Sequence, residues 1–143
     1  MERQLAGRVV QIHGGVVDVE FPGGDLPEIY EAVTVPRENG NDLILEVQKH
    51  LSNNWVRTIS MATTDGLQRG VAAERTGAPI KVPVGDSTLG RIFNVLCEPV
   101  DGKGPVPGVQ DRRMELQAPG IMGRQPVREP LPTGIKAIDA MTP

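Results

Sequence analysis

The first half of the chain consists of short apolar runs, several of them alternating, separated by clusters of turn-forming residues. No other feature limits the fold as much. In residues 16–21, Val17, Val19 and Phe21 fall on one side of an extended chain and Asp18 and Glu20 on the other. That is the period of two a half-buried strand requires. Residues 43–48 repeat it, with Leu43, Leu45 and Val47 inward and Glu46 and Gln48 outward. Residues 7–12 and 29–35 are apolar-rich, the latter interrupted by Glu31, and residues 55–61 are β-branched and alternating. His13-Gly14-Gly15, Pro22-Gly23-Gly24-Asp25, Glu38-Asn39-Gly40-Asn41 and Ser52-Asn53-Asn54 punctuate these runs, and the third contains an Asn-Gly hairpin pair. Five or six short strands at this spacing predict an all-β region that is a small closed six-stranded β-barrel, since closure leaves no exposed edge.

Proline divides the chain. Residues 1–75 hold three of the 13 prolines and residues 76–143 the other ten. The first region has 7 basic and 11 acidic residues, net −4, and the second 8 and 7, net +1. The boundary is expected between Ala73 and Ala78. Beyond it, Pro79 and Pro83 restrict residues 78–85 to an extended path. Residues 90–96 are predicted as a short strand, and Asp101-Gly102-Lys103-Gly104-Pro105 as a turn. Residues 106–132 are proline-rich without a sustained period and are expected to lie along another domain or chain. Thr133 is a credible N-cap for a helix over 134–141 carrying Ile135, Ile138 and Met141 on one side, with Pro143 as its stop.

Function classes are narrowed mainly by what is missing. No run approaches the roughly 18 apolar residues of a membrane-spanning helix, and Met1-Glu2-Arg3-Gln4 lacks a secretory apolar core. The single cysteine, Cys97, excludes an internal disulfide and a zinc site of several thiolates. Cys97 has Glu98 beside it and no basic neighbour, so it reads as a small core residue and not as a reactive thiolate. His13 and His50 lie far apart with no carboxylate cluster near either, and Ser60 and Ser87 are in no nucleophile elbow. Gly102-Lys103-Gly104 is followed by proline, so no helix can start there to cradle a phosphate. Arg112, Arg113, Arg124 and Arg128 are interleaved with Glu115 and Glu129 and read as dispersed salt-bridge and interface arginines. Four aromatic residues and no dense basic run argue against nucleic-acid binding, although an oligonucleotide-binding barrel stays open as an alternative. From the residues alone no catalytic, cofactor-binding or metal-ligating residue is assigned, and a scaffold or interaction role is favoured.

Several stretches together resemble one family. Leu45-Glu46-Val47-Gln48-Lys49-His50-Leu51 followed by Val56-Arg57-Thr58-Ile59-Ser60-Met61 is similar to the N-terminal barrel of F-type rotary ATP synthase subunits, with the catalytic beta type the closest. Thr64-Asp65-Gly66-Leu67-Gln68-Arg69-Gly70, residues 76–85, residues 89–96 with Glu98-Pro99-Val100-Asp101, and Gly7-Arg8-Val9-Val10 with residues 15–21 continue the resemblance. There are two departures. Cys97 stands where the family pattern has glycine before Glu-Pro; if that position needs a positive φ, Cys97 is strained or the turn is altered. The tail, at Ala118-Pro119-Gly120-Ile121, Arg124, residues 127–131 and residues 133–143, resembles the non-catalytic alpha subunit, so an alpha-type chain or an engineered or ancestral alpha-beta hybrid is the alternative reading.

The resemblance implies a crown domain over 1–75, then over 76–143 the extended, proline-rich start of an α/β nucleotide-binding domain that ends before the phosphate loop. It implies neighbouring alpha/beta-type subunits or further copies of this chain as partners, in a ring within a proton-driven ATP-synthesising complex. No nucleic acid and no direct membrane insertion are implied. ATP, ADP and magnesium are expected only in the full-length subunit. The implied location is peripheral to a membrane, on the cytoplasmic side in bacteria or in a mitochondrial matrix or chloroplast stroma. Val10, Ile12 and Val56 are expected to supply apolar ring contacts beyond the barrel core.

Overall fold

The computed structural model of the chain describes residues 7–37 and 41–141. The Asn39-Gly40 pair, residues 1–4 and the stop at Pro143 therefore lie outside the described residues.

Six antiparallel strands close into a barrel: β1 (Gly7–His13), β2 (Val16–Glu20), β3 (Glu31–Val35), β4 (Leu43–His50), β5 (Trp55–Ser60) and β6 (Ala72–Pro79). Around the barrel the order is β1-β2-β5-β4-β3-β6, and β6 returns to β1. The alternating residues set the inner face. Val17 and Val19 of β2, Val33 and Val35 of β3, Leu43, Leu45 and Val47 of β4 and Val56 of β5 are at most 1% exposed, and with Val9, Phe21 and Ala73 they form one core. Gly7 is fixed by that core: a Cβ there would lie 2.7 Å from Cε1 of Phe21. Thr58, also inward, gives its hydroxyl to the Val17 carbonyl at 2.7 Å, which satisfies a buried polar atom. The β4–β5 hairpin turns through Asn53 and Asn54, at φ 64° and 59°, the left-handed region such tight turns favour and asparagine tolerates.

Two of the residues expected to be surplus to the core belong to it or pack on it. Val56 is fully buried, because it pairs with Val19 on the inward side of β5. The register between β1 and β2 shifts between Val9 and Gln11, a bulge that turns Ile12 to the side of its partner Val17, so Ile12 packs against the core. Val10, at the bulge, is half-buried. Val56 and Ile12 are therefore not free apolar contacts.

The sixth strand crosses the composition shift at residue 75. Three residues of β3, from Glu31 to Val33, oppose five of β6, from Pro79 to Arg75. Gly77, at φ 69°, takes up the irregular stretch. Ile80 is buried where the chain leaves the barrel.

The second region is sparse in regular structure. β7 (Lys81–Val84) pairs with β8 (Gln110–Arg113) as a two-stranded ribbon, and a single 3-10 turn covers Asp86–Thr88. The expected strand over 90–96 does not form. Asn94 Oδ1 accepts the N–H groups of Leu96 at 3.0 Å and Glu98 at 2.8 Å, and only one isolated bridge, Phe93 to Pro99, remains. A short polar side chain has offered the backbone a local alternative to a ladder. Cys97 lies in this turn at φ 61° and half-buried, not in the core. The left-handed backbone that glycine would adopt freely is retained, and a side chain is held in it. Residues 115–135 are exposed and extended apart from a 3-10 turn at Ile121–Gly123. The helix α1 (Lys136–Met141) follows. The helix starts later than expected, with Gly134 at φ 78° and Asp139 N–H bonding the Ile135 carbonyl at 3.0 Å, so Thr133 lies ahead of the capping position; its Oγ1 accepts the Ile135 N–H at 3.2 Å in a local turn, and Asp139 accepts the N–H groups of Thr133 at 2.9 Å and Gly134 at 3.1 Å.

Candidate assembly surface

Three arginine–carboxylate pairs organise the barrel wall and its exit. The first closes one end of the barrel. Glu31 shares the inward side of β3 with Val33 and Val35, and Arg75, opposite Val33, shares that side of β6. Their bond is bidentate, Nε to Oε1 and Nη2 to Oε2, both 3.0 Å. Glu31 also accepts the N–H groups of Glu28 at 2.9 Å and Gly77 at 3.0 Å. Burial alone would raise the Glu31 carboxyl, but the Arg75 bond and those two N–H groups outweigh it and hold the carboxyl below its ordinary value. Arg75 also reaches Asp25 at 2.7 Å, which ties the Pro22–Asp25 turn region to the same end.

The second pair lies on the outer wall. Asp18 and Arg57 are cross-strand partners on β2 and β5 and bond bidentately at 2.9 Å for both contacts. The third clips the loop after β7. Arg91 grips Asp101 at 2.6 and 3.0 Å and also bonds the Gly104 carbonyl. Asp101 is held far below the usual carboxylate range, first by Arg91, against a desolvation penalty, and then by the N–H groups of Lys103 and Ile92. The sequence carried no sign of these partnerships beyond Glu31 breaking an apolar run.

Glu46 behaves oppositely. It faces outward from β4 yet is only 6% exposed. Burial pushes its carboxyl up, the Glu115 charge adds to this, and the 2.6 Å bond from Gln48 offsets only part.

The residues singled out from sequence do not converge. His13 is exposed and contacts Gln11, whereas His50 Nε2 lies 2.7 Å from the Pro27 carbonyl. No group of three or more His, Cys, Asp or Glu able to hold a metal ion occurs among the described residues. Gly102-Lys103-Gly104 does not fit a nucleotide phosphate: the Lys103 N–H is given to Asp101 at 3.1 Å, the Gly104 carbonyl accepts from Arg91, and Pro105 has no N–H. Arg124 bonds the Pro119 carbonyl at 2.9 Å. None of Arg112, Arg113, Arg124 and Arg128 takes part in an ion pair among the described residues, so the expected salt bridges are not found there.

Exposed apolar side chains are concentrated after the barrel. Leu89, Ile92, Val95 and Val100 stand out from the clipped loop, and Ile121, Met122, Val127 and Leu131 from the extended segment. Single exposed apolar residues are ordinary, but a succession of them on an extended chain marks a surface for contact.

The fold is a closed antiparallel barrel followed by a segment with exposed apolar side chains. Residues 9–77 match the family described as ATP synthase alpha/beta family, beta-barrel domain. The matched span runs from β1 into β6, so the likeness is that of the barrel itself, an alpha/beta-type N-terminal domain, and residues 78–143 lie outside it.

Proposed function

We propose that this chain is the N-terminal scaffold part of an ATP synthase subunit of the catalytic beta type, holding alpha/beta-type neighbours side by side in a ring, in a complex that couples proton flow to ATP synthesis. The observation that carries the reading is a barrel closed all the way round within the span similar to the alpha/beta family. Closure makes the sheet stiff and leaves its outer faces and loops for neighbours on both sides. Such contacts are head-to-tail and close a ring by rotation. Nucleotide, magnesium and catalysis belong, on this proposal, to other parts of the parent subunit. The misfit of Gly102-Lys103-Gly104 to a phosphate supports that division.

Sedimentation of the full chain, alone and mixed with the N-terminal barrel of an alpha-type subunit, tests the reading. A concentration-dependent complex is expected. Strict monomers of both at tens of micromolar overturn it. Calorimetry with Mg-ATP is expected to give no binding heat. The alpha-type reading is favoured by the tail at residues 118–143, and preferential pairing with a beta-type barrel would establish it over the beta type.

A further inference from the structure

At the end of the barrel where β3 leaves and β6 begins, Pro36 and Arg37 face the loop between β5 and β6 across a cleft of about 300 Å³. Its remaining walls are Asp65, Gly66, Leu67, Gln68 and Val71. Arg37 has one hydrogen bond among the described residues, from Nη2 to the Thr63 carbonyl. Its Nε–H is sealed from water and has no partner among the described residues. A buried charged donor without an acceptor is costly, and folded proteins leave few. Asp65, the one acid in the wall, does not supply the acceptor: its Oδ2 takes the Thr63 hydroxyl at 2.6 Å, and it forms no ion pair with Arg37 among the described residues. Of the other lining residues Pro36, Gly66 and Gln68 are exposed and Leu67 and Val71 half-buried, and none is charged, so Arg37 and Asp65 are the charged walls of a cleft that opens to solvent.

We propose that this cleft is a socket for a carboxylate, filled by an acidic side chain on a loop of a neighbouring alpha/beta-type chain. The proposal rests on the assembly role given above. Carboxylate is the acceptor whose two oxygens match the guanidinium fork. Charge complementarity points to a neighbour as its source. The barrel region carries 11 acidic against 7 basic residues. Glu28, Asp42 and Glu74 are exposed and take no ion pair among the described residues. A barrel of this kind therefore offers carboxylates on its surface and a guanidinium in its cleft. These are two different patches, which is what a head-to-tail contact uses.

The test follows the Arg37 Nε–H resonance of the full chain by NMR while a blocked tetraglutamate peptide is added, with tetraglutamine as control. A saturable downfield shift with tetraglutamate alone is expected, and Arg37→Gln should lose it. Arg37→Lys, which keeps the charge but not the fork, should weaken the binding at least tenfold, with the folded spectra of both variants unchanged. No shift at millimolar tetraglutamate, or an equal shift with tetraglutamine, overturns the proposal. Sedimentation separates this from the assembly reading. Chains that assemble equally well with and without Arg37→Gln refute the socket but leave assembly standing. Peptide binding by a chain that never assembles refutes the neighbour as occupant along with the assembly role.

Discussion

Replacing Arg75 with methionine removes the one cation that pairs, among the described residues, with a carboxylate that is 4% exposed. Glu31 accepts four hydrogen bonds, two from Arg75 and one each from the N–H groups of Glu28 and Gly77. Arg75→Met leaves the last two, with the charge still inside the barrel end. Removing one partner of a buried pair costs about 3 kcal/mol at the lower end of its range, the appropriate figure here because Arg75 is itself 18% exposed. For a domain of this size that is a fall in melting temperature of roughly 12–24 °C. The assay is urea unfolding of the full chain followed through Trp55, the single tryptophan, which lies on β5. Glu31→Leu combined with Arg75→Met, which removes both charges, should recover most of the loss, a coupling of about 2 kcal/mol. Acid gives an independent readout. The folded Glu31 carboxyl lies below its ordinary 4.5, so its stabilisation is complete above that value and disappears as pH falls through the folded value. Glu31→Gln should flatten that acid limb. If Arg75→Met costs less than about 0.5 kcal/mol, the range of an ordinary surface substitution, or if the two changes simply add, the barrel end is not held by this pair.

Glu46→Gln should raise the urea midpoint at pH 7. The folded carboxyl is raised, so its penalty is absent below the ordinary 4.5 and grows as pH rises through the folded value; the gain should vanish in acid. Cys97→Gly should stabilise the loop after β7 by about 1 kcal/mol, by relieving a left-handed side chain, read as slower amide exchange at Leu96 and Glu98. Gly7→Ala should destabilise the barrel by about 1–3 kcal/mol through the clash with Phe21, and Gly7→Ala combined with Phe21→Leu should recover part of it.

The parts legible in the sequence were those where one wall of a strand faces the core. β2 and β4 read directly because Val17, Val19, Leu43, Leu45 and Val47 alternate with polar residues, and the inner face is where those residues lie. β6 could not be read that way. Its eight residues, Ala72 to Pro79, contain alanines, a glycine and a proline and no β-branched residue but Thr76; β3 and β1 hold it by position. The absent strand at 90–96 had the right composition, but Asn94 captured the backbone first. Val56 and Ile12 read as surplus to the core in the sequence; the pairing of Val56 with Val19 and the bulge in β1 turn them to the core, and both depend on partners distant in sequence. Glu31 and Arg75 are 44 residues apart, and Arg37 and Thr63 are 26 apart. A side chain's partner at such separation is a product of topology, which local pattern does not encode.

Among the described residues the β1–β6 seam that completes the barrel is short: two residue pairs, Gly7 with Ala73 and Arg8 with Ala72, against five between β2 and β5. Two backbone bonds just beyond it, Val9 N–H to Val71 and Gly70 N–H to Val9, extend the fastening. Mechanically the barrel is a split ring with a small clasp. A sideways load would part it at the clasp before it tore any other neighbouring pair of strands. Tension along the chain leaving β6 falls on a strand fastened far more broadly to β3, so a pull from the trailing segment is carried into the body of the barrel and the clasp is spared.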